Sequence, residues 1–264
     1  MKALEYWNPE GFEISSYKYS LKERVNKSYT TSGNDNTNLC TYTYNELGFR
    51  GDSIKKEGFK IMSLGCSITE GVGVNDNETW PAQFCSHIEN GVNFNFGTGG
   101  RSNDFICRCL MSYYDLIKPD LVLIMYTFPP RREIYTEENG IEPYIPTKVW
   151  GKLSETEDGK LIQKSLDILQ NDNADFINWY KNHMLIKMFL ESKKCNWLWD
   201  GKYLLTKYNE FNRFTALDNF KMDLGSDDLH PGPQHHKHYS KVLFDYISMK
   251  FPTYLPGKIE NRLI

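Results

Sequence analysis

The chain has 264 residues, of which 40% are hydrophobic and 25% are charged, a composition typical of a globular protein with a sizeable core. The formal net charge is −3, which excludes the strongly basic surface typical of nucleic-acid binding. No apolar run approaches the ~20 residues that cross a bilayer, and the first ten residues lack the apolar segment of a signal peptide. We therefore expect no nucleic-acid partner, no membrane span and a cytoplasmic location, with association with a virus particle as the alternative.

The cysteine and histidine patterns do not predict a metal site. No two cysteines form a CxxC pair, and their spacing is typical of neither a zinc site nor a small disulfide scaffold. We therefore expect reduced, mostly buried thiols, no metal and no cofactor. The histidines at 235, 236 and 238 are interpreted as solvated or helix-capping residues. The six cysteines are Cys40, Cys66, Cys85, Cys107, Cys109 and Cys195.

The first 57 residues differ in composition from the rest of the chain. They are rich in Tyr, Ser, Thr and Asn, and the run Ser32–Asn38 is typical of a loop. This segment, 1–57, is predicted to be a polar arm that lies on the body of the protein, and 58–264 is predicted to form the body.

From Phe59 onward, short apolar runs alternate with segments of helical periodicity. Continuous apolar runs are typical of parallel strands covered by helices on both faces. The order strand, helix, strand, helix, strand predicts an α/β fold, a three-layer α/β/α sandwich with a parallel, flavodoxin-like sheet. The five predicted elements are Phe59–Leu64, Trp80–Ile88, Val92–Phe96, Phe105–Ile117 and Leu121–Met125.

The stretch 131–196 interrupts this alternation and is predicted to be a helical insertion. It contains a loop with Pro143 and Pro146, a charged segment at 154–160 and a long helix at 175–193. One face of that helix carries a Met and aromatic stripe, which we interpret as core-facing: Ile177, Tyr180, Met184 and Met188. A strand at 196–200 follows the insertion. The chain then ends in a helix whose predicted inward face is Tyr239, Val242, Leu243, Tyr246 and Ile247.

Three polar clusters fall at the predicted carboxyl ends of strands or near the end of the chain. The first is Gly65–Gly71, where Ser67 follows a strand at the start of a helix and could act as a nucleophile whose own N–H stabilises an anion. The alternative is a helix-capping serine. The second is the glycine-rich run Asn95–Asn103, whose backbone N–H groups could face a ligand. The third is Asp227-x-x-His230, in which the carboxylate can orient the imidazole that a serine nucleophile needs.

Together these clusters resemble the SGNH, or GDSL-type, hydrolase superfamily of esterases, lipases and carbohydrate acetyl esterases. Gly65–Gly71 resembles the first block of the family, with Cys66 where the motif has Asp, and Asn45–Gly51 resembles its lead-in. Asn95-Phe96-Gly97 is similar to the second block and Asp227 to His230 to the fifth. The resemblance implies a triad of Ser67, Asp227 and His230, with the Ser67 and Gly97 N–H groups as oxyanion donors.

One block departs from the family pattern. After the third strand the family carries an Asn whose side chain donates to the oxyanion, and here Phe128 falls at that place. Loss of one such donor typically costs about 100- to 1000-fold in rate. Thr127, Arg131 and Arg132 are the candidates for a replacement donor, and Phe128 would then line the acyl pocket. The alternative for the arginines is a salt bridge, with Glu133 or Glu70 as partners.

The expected activity is hydrolysis of a short-chain, acetyl-type ester of a small molecule or glycan through an acyl-serine. Three alternatives stay open. The same triad would also serve an acyltransferase. The missing donor would fit a weak or inactive module that binds glycans or serves as a structural part. The third alternative is a flavodoxin-like binding protein without ester chemistry, which the Asp227–His230 pair makes less favoured. The oligomeric state is open.

Overall fold

The computed structural model describes residues 24–32, 39–136, 140–144, 157–169, 171–201 and 222–256. In chain order its strands and α-helices are β1 (Ser28–Ser32), β2 (Leu39–Thr43), β3 (Arg50–Gly51), β4 (Phe59–Gly65), α1 (Ser67–Glu70), α2 (Trp80–Cys85), β5 (Gly91–Gly97), α3 (Asn103–Ile117), β6 (Leu121–Met125), β7 (Arg132–Thr136), β8 (Gly140–Tyr144), α4 (Glu157–Leu169), α5 (Asp172–Ser192), β9 (Asn196–Asp200) and α6 (Pro233–Lys250).

The central sheet has five strands in the order β3-β5-β4-β6-β9. The four long strands run parallel, and the short edge strand β3 is antiparallel to β5. The strands predicted from Phe59, Val92 and Leu121 are confirmed with bounds that differ by at most one residue, and the strand predicted at 196–200 is β9. Because β4 is the middle strand, the serine that follows it lies at the centre of one sheet edge.

Both faces of the sheet are covered by helices. One apolar cluster joins alternate strand residues such as Phe94 and Ile124 to α3 and α5. The other joins the intervening residues, such as Ile61 and Leu123, to α2 and α6. Successive strand residues point to opposite faces, so strands that are apolar at every position require a helical layer on each side. The predicted three-layer α/β/α sandwich is therefore confirmed.

Two of the predicted helices are confirmed. The Ser102 hydroxyl accepts the Phe105 N–H at 3.3 Å and caps α3, as expected of a serine before an amphipathic run. That helix ends at Ile117, and Lys118 takes a left-handed conformation before Pro119. In α6 the predicted inward residues Tyr239, Leu243 and Ile247 are buried, while Val242 and Tyr246 are partly buried against the same cluster.

The predicted insertion contains more regular structure than the sequence indicates. Strands β7 and β8 form an antiparallel hairpin with Pro143 in β8, and α4 begins at Glu157 inside the segment predicted to be merely charged. Pro146 and residues 154–156 lie outside the described residues.

The core-facing stripe predicted for the long helix is wrong. Ile177 and Met188 on α5 are 58% and 63% exposed. The buried side carries Trp179, Ile186 and Leu190 together with polar residues such as His183, whose Nδ1 lies 3.1 Å from the Tyr126 hydroxyl. The polar residues on this side find long-range partners inside the protein, so the face that carries the Met and aromatic stripe is not the buried one. Tyr180 is exposed and Met184 is half-buried on the outer side.

The described part of the predicted arm contacts the body. Strands β1 and β2 pair as an antiparallel hairpin, and the Tyr42 hydroxyl accepts the Gly73 N–H at 2.7 Å. Arg50 and Gly51, within the segment predicted to be the arm, form the edge strand of the central sheet. Residues 1–23 lie outside the described residues.

Buried thiols and histidines fill parts of the interior. Five of the six cysteines are buried, Cys195 is partly buried, and none of the six is in a disulfide. His235 and His236 are buried, which corrects the expectation that they are solvated, and His238 is exposed. In the described part of the chain, no group of three or more His, Cys, Asp or Glu side chains is arranged to hold a metal ion. No described helix combines the length and the apolarity that a membrane crossing requires.

Candidate active site

Ser67 is the first residue of α1 and lies directly after the carboxyl end of β4. Gly65 pairs with Gly97 across the parallel β4–β5 ladder, so the ends of these strands lie side by side. The Ser67 side chain is half-buried, and its Oγ lies 4.0 Å from the Cys66 Sγ. The Ser67 N–H has no acceptor among the described residues, because the first N–H groups of a helix lack intrahelical partners. That N–H is therefore available to a ligand.

Asp227 and His230 form the compact pair that their spacing predicts. The Asp227 Oδ2 lies 2.5 Å from His230 Nδ1, and Oδ1 accepts the backbone N–H groups of Leu229 and His230 at 3.2 and 3.0 Å. Burial raises the pKa of Asp227, but the hydrogen bonds from His230 outweigh it, and the pKa lies below its usual value. The carboxylate therefore stays ionised and binds Nδ1 of the imidazole.

The loop that carries this pair is anchored to the segment that follows Ser67. The Ser226 N–H donates to the Gly73 carbonyl at 2.8 Å. Gly73 has φ +87°, and a Cβ added there would lie 2.9 Å from Asp227 Oδ1 and 3.0 Å from Gly225 Cα. Only a glycine fits at position 73 against the loop that carries Asp227. The contact between Gly73 and this loop thus links Ser67 to the Asp227–His230 pair, which is distant from it in sequence.

Gly97 does not have the free N–H that the resemblance predicts. Its N–H donates to Asn95 Oδ1 at 2.9 Å, and a Cβ on Gly97 would lie 2.1 Å from the Glu70 nitrogen. The Asn95 side chain also donates to the Thr69 carbonyl at 2.7 Å. Gly97 therefore lets β5 and α1 approach each other. Its assignment as an oxyanion donor is corrected because its N–H already has a partner.

The next turn presents a different N–H group. The Arg101 N–H donates to the Thr98 carbonyl at 3.4 Å, and Gly100 has φ +74° while Gly99 does not have a positive φ. This combination defines a type II turn. The Gly100 N–H has no acceptor among the described residues. A Cβ on Gly99 would lie 3.8 Å from Ser67 Cβ, so the Gly99–Gly100 peptide adjoins the serine.

The segment after β6 is held by Asn103, which the sequence analysis named only as the last residue of the glycine-rich run. Asn103 Oδ1 accepts the Thr127 N–H at 3.0 Å, and Asn103 Nδ2 donates to the Thr127 carbonyl at 3.1 Å. The backbone at the end of β6 is thereby tied to the start of α3, directly after the Gly99–Gly100 turn. The Phe128 side chain is half-buried, and its predicted role as a wall of the acyl pocket stays a prediction.

Arg131 and Arg132, both predicted as replacement donors, have different environments. Arg131 is 6% exposed, and its Nη1 donates to Thr127 Oγ1 at 2.9 Å and to the Arg101 carbonyl at 3.4 Å. Its guanidinium carbon lies 5.2 Å from the Phe128 ring centroid. Among the described residues Arg131 has no carboxylate partner, and its Nε has no acceptor. Arg131 thus places a buried cation with unused donors beside the glycine turn.

Arg132 faces the insertion. Its Nη2 donates to Asp175 Oδ1 at 2.8 Å and to the Ala174 carbonyl at 3.2 Å, while Nη1 donates to the Pro129 carbonyl. Arg132 is therefore corrected from a candidate donor to a salt-bridge residue. Neither of the two predicted partners pairs with Arg132, because Glu133 pairs with Arg108 at 2.5 Å and Glu70 pairs with Arg24 at 2.9 Å.

Glu70 is a buried carboxylate one helical turn after Ser67. It is 3% exposed, and Oε1 accepts from Arg24 Nη1 at 2.9 Å and from the Tyr44 hydroxyl at 3.1 Å. Oε2 accepts the Gly99 N–H at 2.6 Å. Burial, and then the nearby carboxylate, raise the pKa of Tyr44. Burial alone would lower the pKa of Arg24, but Glu70 raises it above its usual value.

Arg50 organises the backbone that follows α1. Its Nη1 donates to the Glu70 and Gly71 carbonyls at 2.9 and 2.7 Å, and its Nη2 donates to the Val74 carbonyl at 3.0 Å. Its Nε donates to Asp76 at 2.8 Å. Sequence reasoning named this arginine only within the lead-in to the first block. The available signal was a cation inside an otherwise apolar and glycine-rich run.

Comparison with known proteins gives structural similarities at low identity. No protein-family model and no curated protein matches the chain. A lipolytic protein of the G-D-S-L family from Veillonella parvula is similar with a TM-score of 0.36 and 14% identity, over 72% of this chain and 98% of its own. A second G-D-S-L family protein, from Desulfitobacterium hafniense, has a TM-score of 0.33 and 14% identity, over 71% of this chain and 98% of its own.

A family two carbohydrate esterase from Clostridium thermocellum, solved with cellohexaose, has a TM-score of 0.36 and 13% identity, over 74% of this chain and 65% of its own. These proteins are of the class that the sequence motifs resemble. Because their TM-scores lie below 0.5, the assignment of an activity rests on the site and its residues.

Proposed function

We propose that this protein is a serine ester hydrolase that works through an acyl-serine intermediate. The observation that carries the proposal is the anchoring of the Asp227–His230 loop to Gly73, six residues after Ser67. A nucleophile, a base and a carboxylate that orients the base are the parts that serine catalysis needs. Here all three lie on segments that share one backbone contact.

In the acylation step, the Ser67 oxygen attacks the ester carbonyl while His230 Nε2 takes the hydroxyl proton. The C–O bond to the alcohol then breaks, and His230 returns that proton to the departing alkoxide. Nδ1 of His230 is bound to Asp227, which leaves Nε2 for this exchange. In deacylation His230 takes a proton from water, the resulting hydroxide attacks the acyl group, and the proton returns to Ser67 as the acid leaves.

The oxyanion is proposed to bind the N–H groups of Ser67 and Gly100 and the guanidinium of Arg131. Both N–H groups lack an acceptor among the described residues, and Arg131 is buried with unused donors beside the same turn. A guanidinium carries five N–H donors and stays charged. Arg131 would thus supply the third donor that Phe128 does not.

The proposed substrate is a short-chain ester, such as the acetyl ester of a small molecule or glycan. The described groups next to Ser67 are small: Cys66 precedes it, and Gly99 lies against its Cβ. This crowding by backbone favours a short acyl group over a long chain.

The test is chemical labelling of the serine. A fluorophosphonate probe should label the wild-type protein at Ser67, and Ser67→Ala should abolish both labelling and hydrolysis of p-nitrophenyl acetate. Cys66→Ala serves as the matched control, because it removes the neighbouring nucleophile and should leave labelling at Ser67. Labelling that persists in Ser67→Ala, or that is lost in Cys66→Ala, would contradict the assignment.

A glycan-binding or structural module without hydrolytic activity is the second candidate. Phe128 at the position of the family's donor favours it, because two backbone donors alone would make a weak oxyanion site. Wild-type protein that neither reacts with the probe nor turns over an ester would support this reading. Turnover that speeds up with an added alcohol and yields a new ester would instead indicate an acyltransferase.

A further inference from the structure

We propose that Glu70, held by Arg24 and Tyr44, is a positioning residue that orients the Gly99–Gly100 peptide toward Ser67. This inference rests on the proposed function, because the oriented group is the proposed oxyanion donor. It gives a role in the proposed catalysis to the buried Arg24–Glu70 ion pair and to the N-terminal segment that carries Arg24 and Tyr44.

The contacts of Glu70 reach from the N-terminal segment to the glycine turn. One carboxylate oxygen accepts from Arg24 and Tyr44, and the other accepts the Gly99 N–H at 2.6 Å, the shortest of the three contacts. The Arg24 side chain is 14% exposed and that of Glu70 is 4% exposed. Hydrogen bonds to an ionised acceptor in such surroundings are stronger than those between neutral groups. The Gly99 N–H is therefore firmly held.

The direction of the next N–H group depends on the turn type. Type I and type II turns differ by a flip of the peptide between their two central residues, which here is the Gly99–Gly100 peptide. In the proposed site the Gly100 N–H faces Ser67. A flip would turn that N–H away and bring the Gly99 carbonyl to the same side, where it would repel an oxyanion. Glycine at both positions allows either arrangement, so something outside the turn must hold the productive one. Among the described residues, Glu70 fixes the preceding peptide by accepting the Gly99 N–H.

The cation explains why the N-terminal segment matters to the site. A buried carboxylate without a partner is costly and tends to become protonated. Arg24 and Tyr44 precede the central sheet in sequence and lie over Glu70, with the Arg24 guanidinium 5.1 Å from the Tyr44 ring centroid. They keep the acceptor for Gly99 in place. The segment is thus part of the active-site framework.

Two double variants separate positioning from simple stability. Glu70→Gln with Arg24→Met removes both charges but keeps a side-chain oxygen that can accept the Gly99 N–H. Glu70→Ala with Arg24→Met removes the same charges and also the acceptor. We expect the Gln variant to keep kcat for p-nitrophenyl acetate within about threefold of the wild type. The Ala variant should lose at least about tenfold in kcat with little change in KM, because the donor is misplaced. The amide hydrogen of Gly99 should exchange faster only in the Ala variant.

Equal kcat values in the two double variants, with equal exchange at Gly99, would overturn the inference, because both lose the ion pair to the same extent. Should the Ala variant fail to fold, Glu70→Asp provides the comparison. It keeps the charge, shortens the side chain by one methylene and should lower kcat at least about tenfold. A wild-type protein without probe labelling or turnover would refute the proposed function itself. An active wild-type protein whose Glu70 variants all keep the wild-type kcat would refute only the role of Glu70.

Discussion

Replacing Gly73 with alanine tests whether the loop that carries His230 must lie where the structure has it. The added Cβ would lie 2.9 Å from Asp227 Oδ1, 3.0 Å from Gly225 Cα and 3.2 Å from the Ser226 nitrogen. Two of these atoms are backbone atoms of the same loop, so no side-chain rotation relieves the contact. The loop has to move away from Gly73.

The size of the effect follows from these distances. An ordinary contact of about 3.4 Å requires Asp227 to retreat by roughly 0.5 Å, and catalytic groups tolerate displacements of about that size. Because misplacement by 1 Å can cost about 100-fold, we expect kcat to fall about tenfold with little change in KM. The left-handed backbone at φ +87° adds about 1–2 kcal/mol for alanine. The melting temperature should therefore fall by about 2–8 °C.

The assay is steady-state hydrolysis of p-nitrophenyl acetate, together with a thermal melt followed by circular dichroism. Gly48→Ala is the matched control, because Gly48 has a similar φ of 78° but lies in the Asn45–Phe49 turn. It should lower the melting temperature and leave kcat unchanged. A Gly73→Ala variant with the kcat of the wild type, or an equal loss of kcat in Gly48→Ala, would refute the reasoning.

Four further substitutions test the other assignments. Asp227→Asn should lower kcat by about 10³–10⁴-fold with the fold intact by circular dichroism, because the amide no longer binds the correct tautomer of His230; an unchanged kcat would exclude the triad. Arg131→Met should lower kcat at least about tenfold, whereas Arg132→Met, which breaks a buried pair, should instead reduce the unfolding free energy by about 3–5 kcal/mol in urea melts. Burial and the neighbouring cationic groups lower the pKa of His236 to about 3, so below pH 6.5 only the unfolded state takes up this proton. The contribution of this group to the free energy of unfolding is complete above pH 6.5 and declines by about 1.4 kcal/mol per pH unit as the pH falls toward 3. His236→Gln should remove that decline from urea melts measured between pH 7.5 and pH 5. The same pH dependence in the variant and the wild type would contradict the assignment.

The elements of the sheet and the two ends of the candidate site follow from local sequence patterns. Apolar runs bounded by glycine and proline indicate the strands within one residue, because a strand buried on both faces must be apolar throughout. The strand–Gly–x–Ser–helix pattern places Ser67 at the carboxyl end of the middle strand. Asp227 and His230 meet because residues three apart can bond through a tight turn, which requires no information from the rest of the fold.

The orientation of α5 could not be inferred in this way. Periodicity identifies an apolar face of the helix, but it does not show which polar side chains have partners. Asp175 is buried by its pair with Arg132, and His183 by Tyr126. Once these long-range partners compensate their burial, the apolar stripe that includes Met188 is left facing outward.

The N–H groups available to the candidate oxyanion site likewise could not be inferred from local patterns. The sequence presents Gly97, Gly99 and Gly100 as equivalent flexible residues. The Asn95 side chain takes the first N–H, Glu70 takes the second, and the type II turn leaves the third free. Local sequence patterns predict the parallel α/β framework and the Asp227–His230 pair, because neighbouring residues suffice for both. Which N–H groups, guanidinium groups and helix faces stay available depends on hydrogen bonds between residues tens of positions apart, and only the folded chain brings those together.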